Sequence, residues 1–167
     1  MKYRIAKQID CKALVNLHYA IRKTYSVGLF SKLGKRFLTK YYKIILNDPN
    51  SVIVCAEDNK GIVQGFCGAT LDVTAQMDNI RRHKVSLGLA ALTSVLLQPS
   101  LLKDLLDRYK VVKNDSTTKI ISTKGARSEY WVWLATNQDS VASVAMYFAQ
   151  LNILKSLGVK EFFGEVD

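Results

Sequence analysis

The spacing of hydrophobic residues changes several times along the chain, and each change marks an element. Weak alternation over residues 3–9 predicts a first strand. Asp10 stands in the N-cap position of a helix over 11–24, where Leu14, Leu17, His18 and Ile21 share one face. Residues 26–34 contain two glycines and two serines and read as a loop. A second helix is predicted over 35–46 from the stripe Phe37, Leu38, Tyr41, Tyr42 and Ile45, closed by the turn residues Asn47-Asp48-Pro49-Asn50. Residues 52–57 and 62–71 are apolar, strand-like runs joined by Asp58-Asn59-Lys60-Gly61, which predicts a hairpin. Gly65 and Gly68 interrupt its second strand and mark a bulge or a close backbone approach.

The pattern then turns helical up to about Gln98 and again from Pro99 to Tyr109, with Leu101, Leu102, Leu105 and Leu106 on one side. Residues 111–127 are rich in Lys, Ser, Thr and Asn and read as a linker. Residues 129–135 predict a buried strand, 136–140 a polar turn, 141–157 a helix ended by Gly158, and 159–166 a last strand. A helix joining two such strands predicts a parallel crossover. The turn before it offers free backbone N–H groups at a positive helix end. The order β-α-α-β-β-α-α-β-α-β predicts one α/β domain over 1–167 with a mixed sheet.

Composition narrows the picture. The chain has 167 residues, 49% hydrophobic and 23% charged, enough for a real core. Cys11, Cys55 and Cys67 are an odd, widely spaced set, which predicts free thiols, no zinc site and a reducing cytoplasm. Residues 85–97 are the most apolar stretch but too short to span a bilayer, and no secretory signal segment is read at residues 1–10. Arg81-Arg82-His83-Lys84 precedes that stretch, which leaves an interfacial helix open. The net charge of +10 suits anionic partners, but the basic residues are scattered, which favours solubility over nucleic-acid binding.

The order of elements resembles that of the GNAT superfamily, N-acyltransferases that use acetyl-CoA. Two stretches carry the likeness. One runs from Phe30 through Tyr41-Tyr42 to the hairpin with Gly61-Ile62-Val63-Gln64-Gly65-Phe66, and the other is the strand–turn–helix from Glu129 to Gly158. The resemblance implies a mixed, mostly antiparallel sheet with flanking helices, lacking the family's last helix and two strands. It also implies acetyl-CoA or another acyl-CoA as co-substrate, and no metal. The family signature Q/R-x-x-G-x-G/A falls on residues 138–143: Gln138 matches, while Val141 and Ser143 stand at the glycine-type positions. A β-branched side chain there occupies space that glycine leaves to a diphosphate. On this resemblance the co-substrate is held by Trp133, Leu134, Ala135, Gln138, Asp139, Ser140, Val141, Ala142 and Ser143, largely through backbone atoms.

Glu129 is the implied general base; its other reading is a solvated glutamate at a strand start. Asp72, Arg81 and Arg82 are the implied acceptor-binding residues, with Asp72 also readable as a helix cap. The helical insertion over 74–110 resembles that of bacterial acyltransferases linked with amino-sugar or surface-polysaccharide synthesis. The implied acceptor is then a primary amine of a small molecule, amino sugars included. His18, Tyr41, Tyr42 and Tyr147 read first as core residues, and Trp131 and Trp133 as core on one side of the sheet. Phe162-Phe163 on an edge strand predicts a homodimer or other oligomer. Two alternatives stand beside the enzyme: an inactive GNAT-like binding or assembly module, and a basic nucleic-acid-binding protein.

Overall fold

Five strands form one sheet in the order of the chain. The computed structural model describes residues 1–21, 29–113, 124–134 and 139–164. Strand β1 (Lys2–Ile5) pairs antiparallel with β2 (Ser51–Glu57), β2 with β3 (Val63–Thr70), and β3 with β4 (Ala126–Trp133); β5 (Phe162–Phe163) joins β4 in parallel. The helices are α1 (Cys11–Ala20), α2 (Leu29–Lys32), α3 (Gly34–Ile45), α4 (Val73–Arg82), α5 (Lys84–Leu97), α6 (Ser100–Lys113) and α7 (Ser140–Ser156). The mixed, mostly antiparallel sheet and the parallel crossover through α7 agree with the sequence reading. Among the described residues no helix is long and apolar enough to cross a membrane.

Both faces of the sheet are covered, because both sets of alternating side chains are apolar. Ile53, Cys55, Phe66 and Val132 face a core with Leu14, Leu38, Tyr42 and Ile45 of α1 and α3. Val54, Ala56, Cys67 and Ala69 face the opposite side, against Met146 and Leu154 of α7. Three polar contacts fix α7 on that side. The Tyr3 hydroxyl donates to the Ala142 carbonyl at 3.1 Å, Gln150 Nε2 to the Val52 carbonyl at 3.1 Å, and the Cys67 thiol to the Met146 carbonyl at 3.8 Å. All three cysteines are free and buried.

Several expected boundaries move. Residues 29–32 form a helical turn instead of a loop, because the Phe30 ring packs edge-on against Tyr41 and Phe37, at 4.9 and 5.3 Å between centroids. The first strand ends at Ile5, and Gln8–Asp10 form a 3-10 turn. Asp10 does not cap α1 through its side chain; Arg4 holds its carboxylate with two bonds of 2.8 and 2.9 Å. The same guanidinium binds Glu57 at 2.6 Å, which ties β1 to β2. Of the expected linker over 111–127, residues 111–113 complete α6 and residues 126–127 begin β4, while 114–123 lie outside the described residues. The predicted last strand reduces to two residues among those described.

Both strand glycines are explained by aromatic neighbours across the ladder. Gly65 lies opposite Trp133 and Gly68 opposite Tyr130, and a Cβ on either glycine would collide with the facing ring. Past Gly68 the register slips: Gly68 pairs with Tyr130 but Ala69 with Ser128, so Glu129 is the extra residue of a bulge. A Gly68→Ala change is expected to destabilise the chain by roughly 1–3 kcal/mol in urea unfolding, as overpacking does. Combining it with Tyr130→Ala is expected to give less than the sum of the two losses. A neutral Gly68→Ala would show that the ring does not lie against this glycine.

Candidate functional site

The bulge decides where Glu129 points. In a regular strand, neighbouring side chains take opposite faces. Here Tyr130 joins the aromatic core on the α1–α3 side, with centroids 5.5 Å from Phe66 and 5.9 Å from Tyr42. Glu129 faces the same side, where its charge acts on Tyr41, Tyr42 and Tyr130 and where Gln76 of α4 reaches it. The placement of Glu129 at a strand start is therefore corrected, and the residue as a whole is half-buried. It sits in mid-strand, and its Oε2 is buried without a hydrogen-bond partner. Burial is the main reason its pKa rises from 4.5 to about 7; Gln76 and Arg127 work against the rise, and Asp48 adds to it.

The surroundings are polar where they touch Glu129 and aromatic around it. Gln76 is buried and donates from Nε2 to Ser51 Oγ at 3.1 Å. Asp48 is buried too, and accepts from the Asn50 backbone N–H at 2.9 Å and from Asn79 Nδ2 at 2.8 Å. The Tyr130 hydroxyl, like Glu129 Oε2, is buried and unpartnered. His18 and Tyr42 share a 2.6 Å hydrogen bond through Nδ1 and the hydroxyl, and burial pushes His18 down to about 4, so it is neutral at pH 7. His18 is thus a satisfied core histidine, as its helical position predicted.

Sequence reasoning missed Tyr130 and Gln76. The signal for Tyr130 was the glycine interrupting the facing strand, since a cross-strand glycine leaves room for a ring. The signal for Gln76 was its place between Val73 and Ile80 on the inner face of an otherwise polar helix. The expected acceptor residues do not converge on Glu129 in the described contacts. Asp72 caps α4, accepting from the Thr74 and Ala75 backbone N–H groups at 2.8 and 3.2 Å. Arg81 pairs with Asp78 at 2.9 Å on the exposed side, and Arg82 is exposed in the last turn.

The expected co-substrate residues divide into two groups. Trp133 packs on the α7 side, and the backbone N–H of Leu134 still donates to the Gln64 carbonyl at 3.1 Å. On the other edge, β4 pairs with β5 only through Ala126 and Arg127 among the described residues, so the strand from Ser128 onward has an open edge there. That edge fits an extended, amide-bearing chain. The Trp131 indole stacks on Tyr147 at 5.1 Å and donates from Nε1 to Ser143 Oγ at 3.0 Å, which turns Ser143 inward. Ala135 and Gln138 lie outside the described residues.

The start of α7 does not fit a diphosphate as it stands. Asp139 occupies the N-cap and accepts from the Ala142 N–H at 2.9 Å through Oδ1; its carbonyl takes the Ser143 N–H at 3.2 Å. Ser140 and Val141 are exposed, with Val141 79% so. A carboxylate thus holds one of the amides that an anion would use, and its charge repels a second anion. Tyr3 feels that charge: burial first and Asp139 second raise its pKa.

No protein-family model and no curated protein matches the sequence. Solved structures do match the fold. An aminoglycoside antibiotic 6'-N-acetyltransferase, AAC(6')-Ig from Acinetobacter haemolyticus, is 8% identical with a TM-score of 0.56, covering 99% of this chain and 79% of its own. Aminoglycoside N-acetyltransferase AAC(6')-Iy in complex with CoA is 10% identical with a TM-score of 0.57, covering 99% of this chain and 76% of its own. A probable acetyltransferase is 10% identical with a TM-score of 0.58, covering 100% of this chain and 80% of its own. The sheet order, the parallel crossover through α7 and these likenesses agree, and the chain has the fold of the GNAT acetyltransferases.

Proposed function

We propose that this chain is an acyl-CoA-dependent N-acyltransferase acting on a primary amine of a small molecule, with Glu129 as the base. The observation that carries this reading is the pair of buried, unpartnered polar atoms on one side of the β4 bulge, Glu129 Oε2 and the Tyr130 hydroxyl. Buried polar groups in folded proteins are nearly always paired, so two together suit a polar ligand. An amine N–H donates to the carboxylate and leaves the nitrogen lone pair free for the acyl carbon, and an oxygen of the same ligand accepts from the phenol. Acyl-CoA would supply the activated thioester along the open edge of β4. Glu129, with its pKa at about 7, takes the proton from the amine nitrogen as that nitrogen forms its bond to the acyl carbon; the thioester C–S bond then breaks and CoA leaves, its thiolate sulfur taking up a proton. Tyr41 and Tyr42, both buried, are near enough for the charge of that carboxylate to act on them. The amino-sugar reading of the acceptor is supported by the two aminoglycoside acetyltransferases among the similar structures.

A second reading, a GNAT-like module that has lost the reaction, is favoured by one observation: the Asp139 carboxylate bonded to the Ala142 amide at the start of α7. The two readings differ in what a change at 139 does.

Thiol release from acetyl-CoA with a panel of small amines is expected to rise with pH through about 7, as Glu129 ionises. Glu129→Gln is expected to lower kcat by about 10²- to 10⁴-fold, the usual worth of a positioned base. No turnover with any amine, together with no heat on titrating acetyl-CoA, would remove the enzyme reading.

The same carboxyl sets a stability profile. Its folded pKa lies above its unfolded value, so its contribution is full below pH about 4.5 and is lost as pH rises through about 7. At pH 8 Glu129→Gln is expected to be more stable than the parent by about 3 kcal/mol, taking roughly 1.4 kcal/mol per pH unit. The two are expected to melt alike near pH 4.5. Equal melting temperatures at both pH values would mean that Glu129 is solvated.

Asp139→Ser keeps a capping oxygen and removes the charge. Titration calorimetry is expected to show CoA binding at least about tenfold tighter, with helix content unchanged. Unaltered affinity would place the obstacle at Val141 and not at Asp139.

A further inference from the structure

We infer that the outer face of α5, with the start of α6, seats on the surface of an anionic lipid bilayer. Helix α5 has two apolar faces, and the fold needs one. Leu87 and Ala91 are buried against the α1–α3 core, and Ser94 Oγ donates to the Leu33 carbonyl at 2.8 Å, so the helix is firmly docked by its inner side. Outside, Val85, Leu89 and Leu96 are 70%, 67% and 70% exposed, and Leu97 is 87% exposed. Leu92 completes that helical stripe, and Leu102 and Leu106 extend it onto α6. Among the described residues nothing covers it. Scattered exposed leucines are ordinary, but a continuous stripe of this length marks an interaction surface.

Charge selects the partner. From residue 79 to residue 103 the chain contains no Asp or Glu, while Arg81, Arg82, Lys84 and Lys103 all fall within it. The exposed Arg82, His83 and Lys84 stand where the stripe begins. Beside them a cleft of about 330 Å³ is lined by Lys40, Lys43, Ile44, Asn47, Asn79 and His83. Apolar side chains bordered along α5 by cations, next to a basic cleft of headgroup size, match the boundary of an anionic bilayer, where acyl chains meet phosphates, while Asp104 on the α6 extension lies 3.9 Å from Lys32. A second copy of this chain would meet the stripe along α5 with the same cations, on a molecule of net charge +10. This inference does not depend on acyl transfer.

The test is co-sedimentation of the whole chain with vesicles of phosphatidylcholine alone, or mixed with about one-third phosphatidylglycerol. Expected is binding to the mixed vesicles, little to the neutral ones, and loss of binding as salt is raised. Leu89→Asp with Leu96→Asp is expected to weaken binding at least about tenfold, and Arg82→Gln with Lys84→Gln several-fold, because both the apolar and the charge contributions are needed. These positions are exposed, and circular dichroism checks that each variant is folded. Absence of binding to the mixed vesicles would overturn the inference, as would binding unaffected by both variants. So would a dimer, seen by light scattering without lipid, that the leucine variant dissolves, since a second copy would then be the occupant.

Discussion

One carboxyl group with an oxygen buried away from any partner organises this molecule. Glu129 is inserted as the odd residue of a bulge, so its side chain turns to the same side as Tyr130. Gly68 makes room for the Tyr130 ring across the strand. Tyr41 and Tyr42, buried on α3, close the space above, and Gln76 enters from α4. Each of these features is ordinary alone. The burial they create raises the pKa of a glutamate to about 7, where it exchanges protons at neutral pH, and Gln76 only tempers that rise.

Such a group works against the stability of its own fold, and the rest of the sheet offsets the loss. Two apolar layers sandwich β2 and β3, and nearly every side chain of those strands is buried. At the edge, Arg4 ties β1 to β2 through Glu57 and to the start of α1 through Asp10. Its guanidinium holds the Asp10 carboxyl below the usual carboxylate range, which anchors the first strand wherever Asp10 is ionised. The aromatic network around Glu129 belongs to the same core, so the group and the packing that opposes its charge cannot be separated.

The layout of elements was legible in the sequence because each has a distinct period. The hairpin announced itself through Asp58–Gly61, and the crossover through a strand, a polar turn and a 17-residue helix. The environment of Glu129 was not legible. It depends on a register slip between residues 68 and 69 and on side chains more than fifty positions away, and local spacing reports neither. Asp10 and Asp72 show the same divide. Both have the right chemistry for a cap, yet only Asp72 caps, because Arg4 from a neighbouring strand competes for Asp10. The signature at 138–143 drew attention to Val141, while Asp139 is the residue bonded to the helix amide.

Asp139 has one more consequence. A helix whose positive end is already neutralised by its own chain is complete without any guest. Helix α7 therefore keeps its shape in an empty protein, and a nucleotide-bearing visitor must evict a resident counter-ion before it can settle. Occupancy by such a visitor would then register as exchange of one negative charge for another, with little added rigidity, so protection against heat is a poor measure of whether this turn is filled.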